Sequence, residues 1–135
     1  MSSDFKIDWE ILRSKAIAAS KLSYSPYSKF PVGVAGLVSD GRIVSGCNVE
    51  NASYGLTLCA ECSMTSELIM TGGGRLRAVV CVDKNGELLS PCGRCRQLLF
   101  EHGGSELQLL TPDGPKCMSE ILPWGFGPED LNEIK

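Results

Sequence analysis

Apolar side chains recur at Trp9, Leu12, Ala16, Ala19 and Leu22, which is helical spacing, and Asp8 just before them is a candidate N-cap. The pattern predicts a first helix of about four turns that stops before Ser25-Pro26. Two prolines keep the stretch 24–31 out of regular structure. Residues 32–38 and 42–49 then flank Asp40-Gly41, the usual hairpin signal. Glycines inside both predicted strands mark places where another backbone or a ligand comes close. Residues 50–57 read as a loop. From Leu58 or Cys59 to Thr71 the pattern is helical again, and Gly72-Gly73-Gly74 is a strong stop. Residues 76–83 form a mostly apolar run, the mark of a central strand covered on both faces. A turn at 84–86 leads to Pro91 and a helix over 92–102, ended by Gly103-Gly104. A buried strand over 107–111, a turn at 112–115 and a short edge strand over 116–119 follow. Residues 120–135, broken by Pro123, Gly125, Gly127 and Pro128, read as mostly irregular.

Strand-helix-strand repeats call for parallel pairing, while the first hairpin is antiparallel. The expected architecture is an α/β domain, a three-layer α/β/α sandwich around one mixed sheet of about five strands.

A chain of 135 residues that is 43% apolar suits a single domain over 1–135 with a full core. The net charge of −3 and the absence of a basic stripe argue against a nucleic-acid partner. Residues 1–10 lack the basic-then-apolar order of an export signal, and no apolar stretch approaches the roughly 20 residues that span a bilayer. Seven cysteines without an export signal read as reduced thiols, and the expected compartment is the cytoplasm.

The chemistry concentrates in Cys59-Ala60-Glu61-Cys62 and Pro91-Cys92-Gly93-Arg94-Cys95. Two C-x-x-C pairs suggest zinc. Four thiolates close a structural site, whereas three thiolates plus a water make a catalytic one, so Cys62 is either the fourth ligand or a bystander. Glu61 inside the first pair is placed to move a proton of such a water. Both clusters fall at predicted helix N-termini, where free N–H groups stabilise thiolates. Three thiolates outweigh one dication, so neighbouring cations or N–H donors must offset the excess. Arg96 and Arg94 are the candidates in sequence, and Arg94 reads better as part of a solvated helix face. Cys47, Cys81 and Cys117 read as small buried hydrophobes, and His102 as a residue near a helix C-terminus.

The order Cys-x-Glu followed by Pro-Cys-x-x-Cys resembles the signature of zinc-dependent nucleoside and nucleobase deaminases. Residues 8–131 resemble the small enzymes of the cytidine/deoxycytidylate deaminase family. The resemblance implies one zinc per subunit on Cys59, Cys92 and Cys95. It further implies attack of a zinc-activated water on C4 of cytosine, with Glu61 shuttling protons to N3 and to the leaving ammonia. Cytidine and deoxycytidine become uridine and deoxyuridine, a step of pyrimidine salvage. In Phe30-Pro31-Val32-Gly33, Phe30 corresponds to a ring that packs on the pyrimidine. In Asn48-Val49-Glu50-Asn51, Asn48 and Glu50 correspond to ligands of the ribose hydroxyls. Tyr54 and Ala60 join the substrate-binding set, and Arg96 the groups behind the metal. Phe126, within Leu122-Pro123-Trp124-Gly125-Phe126, corresponds to a ring that closes over the substrate of a neighbouring subunit, so a homotetramer with shared sites is implied. Many members carry Arg where this chain has Cys62. Two rival readings are a structural four-cysteine zinc module, which leaves Glu61 and Asn48 without a role, and a deaminase of another aminopyrimidine nucleoside such as blasticidin S.

Overall fold

The computed structural model describes residues 6–132. Residues 1–5, where the reading of no export signal begins, and residues 133–135, the end of the tail read as irregular, lie outside the described residues. Asp8 caps α1 (Trp9–Ser20), its carboxylate accepting the N–H of Ile11 at 3.2 Å. β1 (Val32–Val38) and β2 (Ile43–Cys47) form the expected hairpin, in register from Gly33 opposite Cys47 to Leu37 opposite Ile43. α2 (Ala60–Met70) ends where the glycines begin, with the N–H of Gly73 returning to the carbonyl of Leu68 at 2.7 Å and Gly72, Gly73 and Gly74 all at positive φ. β3 (Leu76–Asp83), α3 (Gly93–Gly103) and β4 (Gln108–Thr111) complete the region where periodicity was clear.

The end of the chain differs from the expectation. The turn is confined to Pro112 and Asp113, and β5 (Gly114–Cys117) already contains Pro115. Pro115 is tolerated because β5 is an edge strand. Met118 and Ser119, expected on that strand, begin α4 (Met118–Ile121) instead. Cys117 caps it, with the Cys117 N–H reaching Glu120 Oε1 at 2.9 Å, so this cysteine is a cap and not a core side chain. The tail also forms α5 (Pro128–Asn132), with Pro128 at its first position.

The sheet runs β2-β1-β3-β4-β5. β1 is antiparallel to both β2 and β3, β3 is parallel to β4, and β4 is antiparallel to β5. The β2-α2-β3 connection therefore steps over β1 and leaves β2 and β3 running the same way. One face packs Ala35, Leu37, Ala78, Val80 and Val82 against Leu12 and Ala16 of α1. The other packs Val34, Val38, Val79 and Cys81 against Met64 and Leu68 of α2 and Leu99 of α3. This is the expected α/β/α sandwich. Burying each such Leu or Val side chain contributes about 1.5–3 kcal/mol relative to exposure.

Two strand glycines have the close backbone neighbours expected of them, and Gly46 also faces the Ser63 hydroxyl. A Cβ on Gly33 would lie 2.0 Å from the carbonyl oxygen of Ala16 and 2.5 Å from the nitrogen of Ser20. A Cβ on Gly46 would lie 2.4 Å from the nitrogen of Met64 and 2.5 Å from the carbonyl oxygen of Ala60. Each helix thus sits directly on the sheet backbone. Gly33→Ala must push α1 away and is expected to destabilise the fold by about 1–3 kcal/mol or more. Urea unfolding checks this, and an unchanged midpoint would mean that α1 does not seat on β1 in this way.

Candidate active site

Two helix starts meet at one point. Cys59 is the N-cap of α2 and Cys92 the N-cap of α3, while Glu61 and Cys95 stand in the respective first turns. Ser63 pins α2 to the end of β2, its Oγ bridging the N–H of Cys47 at 3.0 Å and the carbonyl of Cys47 at 3.1 Å. The N–H of Leu89 bonds the carbonyl of Cys81 at 2.9 Å, which brings the approach to α3 alongside β3.

The sulfurs of Cys59, Cys92 and Cys95 lie within 4.8 Å of one another, and the Cys62 sulfur does not join them. Zinc–sulfur bonds of about 2.3 Å in a tetrahedron place sulfurs about 3.8 Å apart, so a small contraction of the cluster suffices. Three soft donors that all line one cavity, with no fourth thiolate among them, suit a catalytic zinc better than a closed structural one. Glu61 is only 3% exposed, and it lines the same cavity of about 280 Å³ as the three cysteines.

Burial works against the free thiolates. It raises the Cys59 thiol and raises the Cys95 thiol strongly, the negative charge of Glu61 adding to the effect at Cys95. Only Cys92, the exposed one, is lowered, chiefly by the backbone N–H of Cys95. The helix-terminus argument therefore holds for Cys92 alone, and desolvation outweighs it at the two others.

The same cavity takes in Phe30, Asn48 and Ala60 together with Val32, Thr57, Leu58, Ser90 and Pro91. Asn48 is 8% exposed and committed on both sides of its amide. Oδ1 accepts from the N–H of Val32 at 2.9 Å and from the Ser23 hydroxyl, and Nδ2 donates to the carbonyl of Phe30 at 3.1 Å. Glu50 and Tyr54 line an adjoining cavity of about 390 Å³ that shares Thr57 with the first. The Glu50 carboxylate accepts the N–H groups of Tyr27 at 3.0 Å and Ser28 at 3.1 Å and the Ser28 hydroxyl. The Ser28 hydroxyl, more than the two N–H groups, holds Glu50 below the usual carboxylate range. Phe126 lines neither cavity; it is 57% exposed, and its carbonyl accepts from Gln97 Nε2 at 2.7 Å.

The two arginines have different surroundings: Arg96 is half-buried, and Arg94 is exposed as its reading on a solvated face expects. Arg96 bonds the carbonyl of Pro91 at 3.0 Å, the carbonyl of Ile121 at 3.1 Å and Ser90 Oγ at 2.8 Å. Arg94, read as part of a solvated face, directs Nη1 to the Cys62 sulfur at 3.6 Å and the Cys59 sulfur at 4.0 Å. Sequence also missed Cys81. It is 2% exposed, lines the cavity and neighbours Glu61, and burial, then the Glu61 charge, pushes its thiol up so that it stays protonated. Its signal was strand alternation, because Val79 and Cys81 share the face that meets α2 and α3.

A family model described as the cytidine and deoxycytidylate deaminase zinc-binding region matches residues 8–111. The chain belongs to the cytidine and deoxycytidylate deaminase family. It is similar to the cytidine deaminase of Mycobacterium tuberculosis, 58% identical over 125 residues, covering 93% of this chain and 94% of that protein. Among solved structures it is similar to the cytidine deaminase of Mycobacterium leprae, with 64% identity, a TM-score of 0.86, and 87% of this chain and 99% of that one covered. The Mycobacterium tuberculosis structure gives a TM-score of 0.88 at 57% identity, covering 90% of this chain and 99% of that one. The family's zinc-binding region and the three-sulfur cluster together fit one zinc per subunit.

In this deaminase site Cys62 stands outside the metal cluster, so Cys62→Ser is expected to keep one zinc per chain. Metal analysis after exhaustive dialysis checks this. Zinc lost from the variant but not from the parent would make Cys62 a ligand and the site a structural one, because structural zinc is a large part of folding energy.

Proposed function

We propose that this chain is a cytidine deaminase, acting as a single catalytic domain over 1–135. It hydrolyses cytidine and deoxycytidine to uridine and deoxyuridine with release of ammonia, a step of pyrimidine salvage. The observation that carries the reading is Glu61, a buried carboxyl opening into the one cavity that also holds the three-sulfur cluster, Phe30 and Asn48. A structural zinc module gives a buried carboxyl at that place nothing to do.

Cys59, Cys92 and Cys95 would hold the zinc, which when bound would supply the Lewis acidity that makes a water nucleophilic at neutral pH. Glu61 takes the proton of that water as it adds to C4 of the pyrimidine. The same carboxyl then delivers protons to ring N3 and to the departing amine, so water and cytidine balance uridine and ammonia. The protonated Cys81 beside Glu61 adds no further negative charge to the site. Phe30 offers a ring face at the cavity lip, and Ala60 stands at the α2 terminus beside Glu61. Nδ2 of Asn48 has a second N–H beyond the one given to Phe30, and Glu50 has lone pairs beyond those used on Tyr27 and Ser28. These remaining valences suit ribose hydroxyls. Tyr54 shares the outer cavity with Glu50. Arg96 steadies the Ser90-Pro91 segment ahead of Cys92.

The enzyme works as a homotetramer with shared sites in the cytoplasm. Phe126 lies outside its own cavity and is exposed, as is Trp124 at 102%, which supports a tail that completes a neighbour's site. Among the described residues no helix is long and apolar enough to cross a membrane. A chain of net charge −3 suits a free nucleoside better than a polynucleotide.

Ultraviolet monitoring of cytidine loss alongside zinc analysis tests the activity. Glu61→Ala is expected to keep zinc and lose turnover by at least the ~10²–10⁴-fold typical of general acid–base groups. Turnover near the parent value in zinc-loaded Glu61→Ala would remove this carboxyl from the reaction. Phe126→Ala is expected to raise KM while leaving zinc content unchanged. Mixed tetramers of Phe126→Ala and Glu61→Ala subunits, formed after mild denaturation, should contain some intact sites and recover activity. Mixed tetramers that stay inactive would place Phe126 outside any shared site.

A further inference from the structure

We propose that Arg94 is the counter-charge of the three-sulfur cluster, with Cys62 as its anchor, so that a cation from the tip of α3 balances thiolates gathered at the tip of α2. This rests on the reading of the cluster as a zinc site.

The need is electrostatic. Three thiolates leave a dication with excess negative charge, and the buried Glu61 beside them adds more. A fixed cation or hydrogen-bond donor aimed at the sulfurs stabilises that assembly. Arg96 does not supply it, because its guanidinium is taken up by the oxygens of Pro91, Ile121 and Ser90. Arg94 does, through Nη1 at 4.0 Å from the Cys59 sulfur and 3.6 Å from the Cys62 sulfur.

The arrangement explains two residues at once. Cys62 is three positions beyond Cys59, so both sulfurs lie on one side of the first turn of α2 and one guanidinium reaches both. Cys62 then has a role that is neither ligand nor filler: it accepts from Arg94 and holds the cation against Cys59. Arg94 itself stands between Cys92 and Cys95 in the first turn of α3, so its reach to α2 ties together the two helix starts that carry the metal ligands. Arg94 is a positioning residue, since it acts on the ligand sulfurs and not on the nucleoside.

The test reads the metal and not turnover. Holoenzyme of the parent, Arg94→Ala, Arg94→Lys and the double variant Arg94→Ala/Cys62→Arg are compared for zinc release to a chromogenic chelator. Loss of a charge-assisted contact at an exposed site should speed release from Arg94→Ala on the order of threefold, less at high salt. Arg94→Lys should recover much of the slow release. The double variant should recover it too, because Cys62 is the position next to which the lost guanidinium lay. With cobalt in place of zinc, the thiolate-to-metal charge-transfer band of Arg94→Ala should move to lower energy, since sulfurs relieved of a donor give up electrons more readily. Mere loss of packing would leave that band in place. Release and band both at parent values in Arg94→Ala overturn the proposal, as does fast release that neither Arg94→Lys nor the added Cys62→Arg slows. A parent chain that takes up neither zinc nor cobalt overturns the metal reading itself and this proposal with it. A parent that holds both metals, with Arg94→Ala unchanged, overturns this proposal alone.

Discussion

Three sulfurs that repel one another once ionised are held within 4.8 Å, and much of the fold serves that crowding. No single helix can place all three, so the chain uses two helix starts. β2 and β3 run the same way on either side of β1, and α2 and α3 follow them in sequence, so both helices begin at one end of the sheet. Ligands of open α/β sheets gather outside the carboxyl ends of strands for this reason. Gly46 then lets α2 lie against the backbone of β2, and Ser63 locks it there with two hydrogen bonds to Cys47. A side chain at 46 would tilt the first turn of α2 and carry Cys59 and Glu61 with it.

The stretch between α1 and β1 shows a second economy. Asn48 and Glu50 follow β2, and each first stabilises protein. Asn48 ties Ser23, Phe30 and Val32 together, and Glu50 caps the turn at Tyr27 and Ser28. Lys29, at φ 59, takes the left-handed conformation that turns the chain toward Phe30. The two groups proposed for a ribose therefore also shape the stretch that carries Phe30. Under that proposal, a change at either position would alter loop order together with ligand affinity.

Most of this was legible because it was written in long patterns. α1 has four apolar residues at helical spacing and a cap, β3 has an unbroken apolar run, and the cysteine clusters carry their own spacing. The tail was not legible for the opposite reason. α4 and α5 are about one turn each, too short to show a period, and prolines and glycines that elsewhere end structure here begin it, as Pro128 does for α5. The site was readable in its ligands and not in its balance. Nothing in a linear sequence distinguishes Arg94 from Arg96, since two residues apart on a helix they point to different sides, and the choice depends on where α2 lies. Burial is likewise a property of the folded chain. It overrides the helix terminus at Cys59 and Cys95, and it makes Cys81 a neighbour of Glu61 rather than a distant core side chain.

The placement of Pro115 bears on how copies of this chain can meet. A five-stranded open sheet has two free edges, and an unguarded edge recruits further strands without limit, the route to fibrous aggregates. At the β5 edge, Pro115 removes one N–H from the row a sixth strand would need, and the adjacent Lys116 adds a charge. Strand-by-strand polymerisation is therefore discouraged at that edge. Under the proposed assembly, contact at this end of the molecule would fall instead to exposed side chains such as Trp124 and Phe126, whose area is finite.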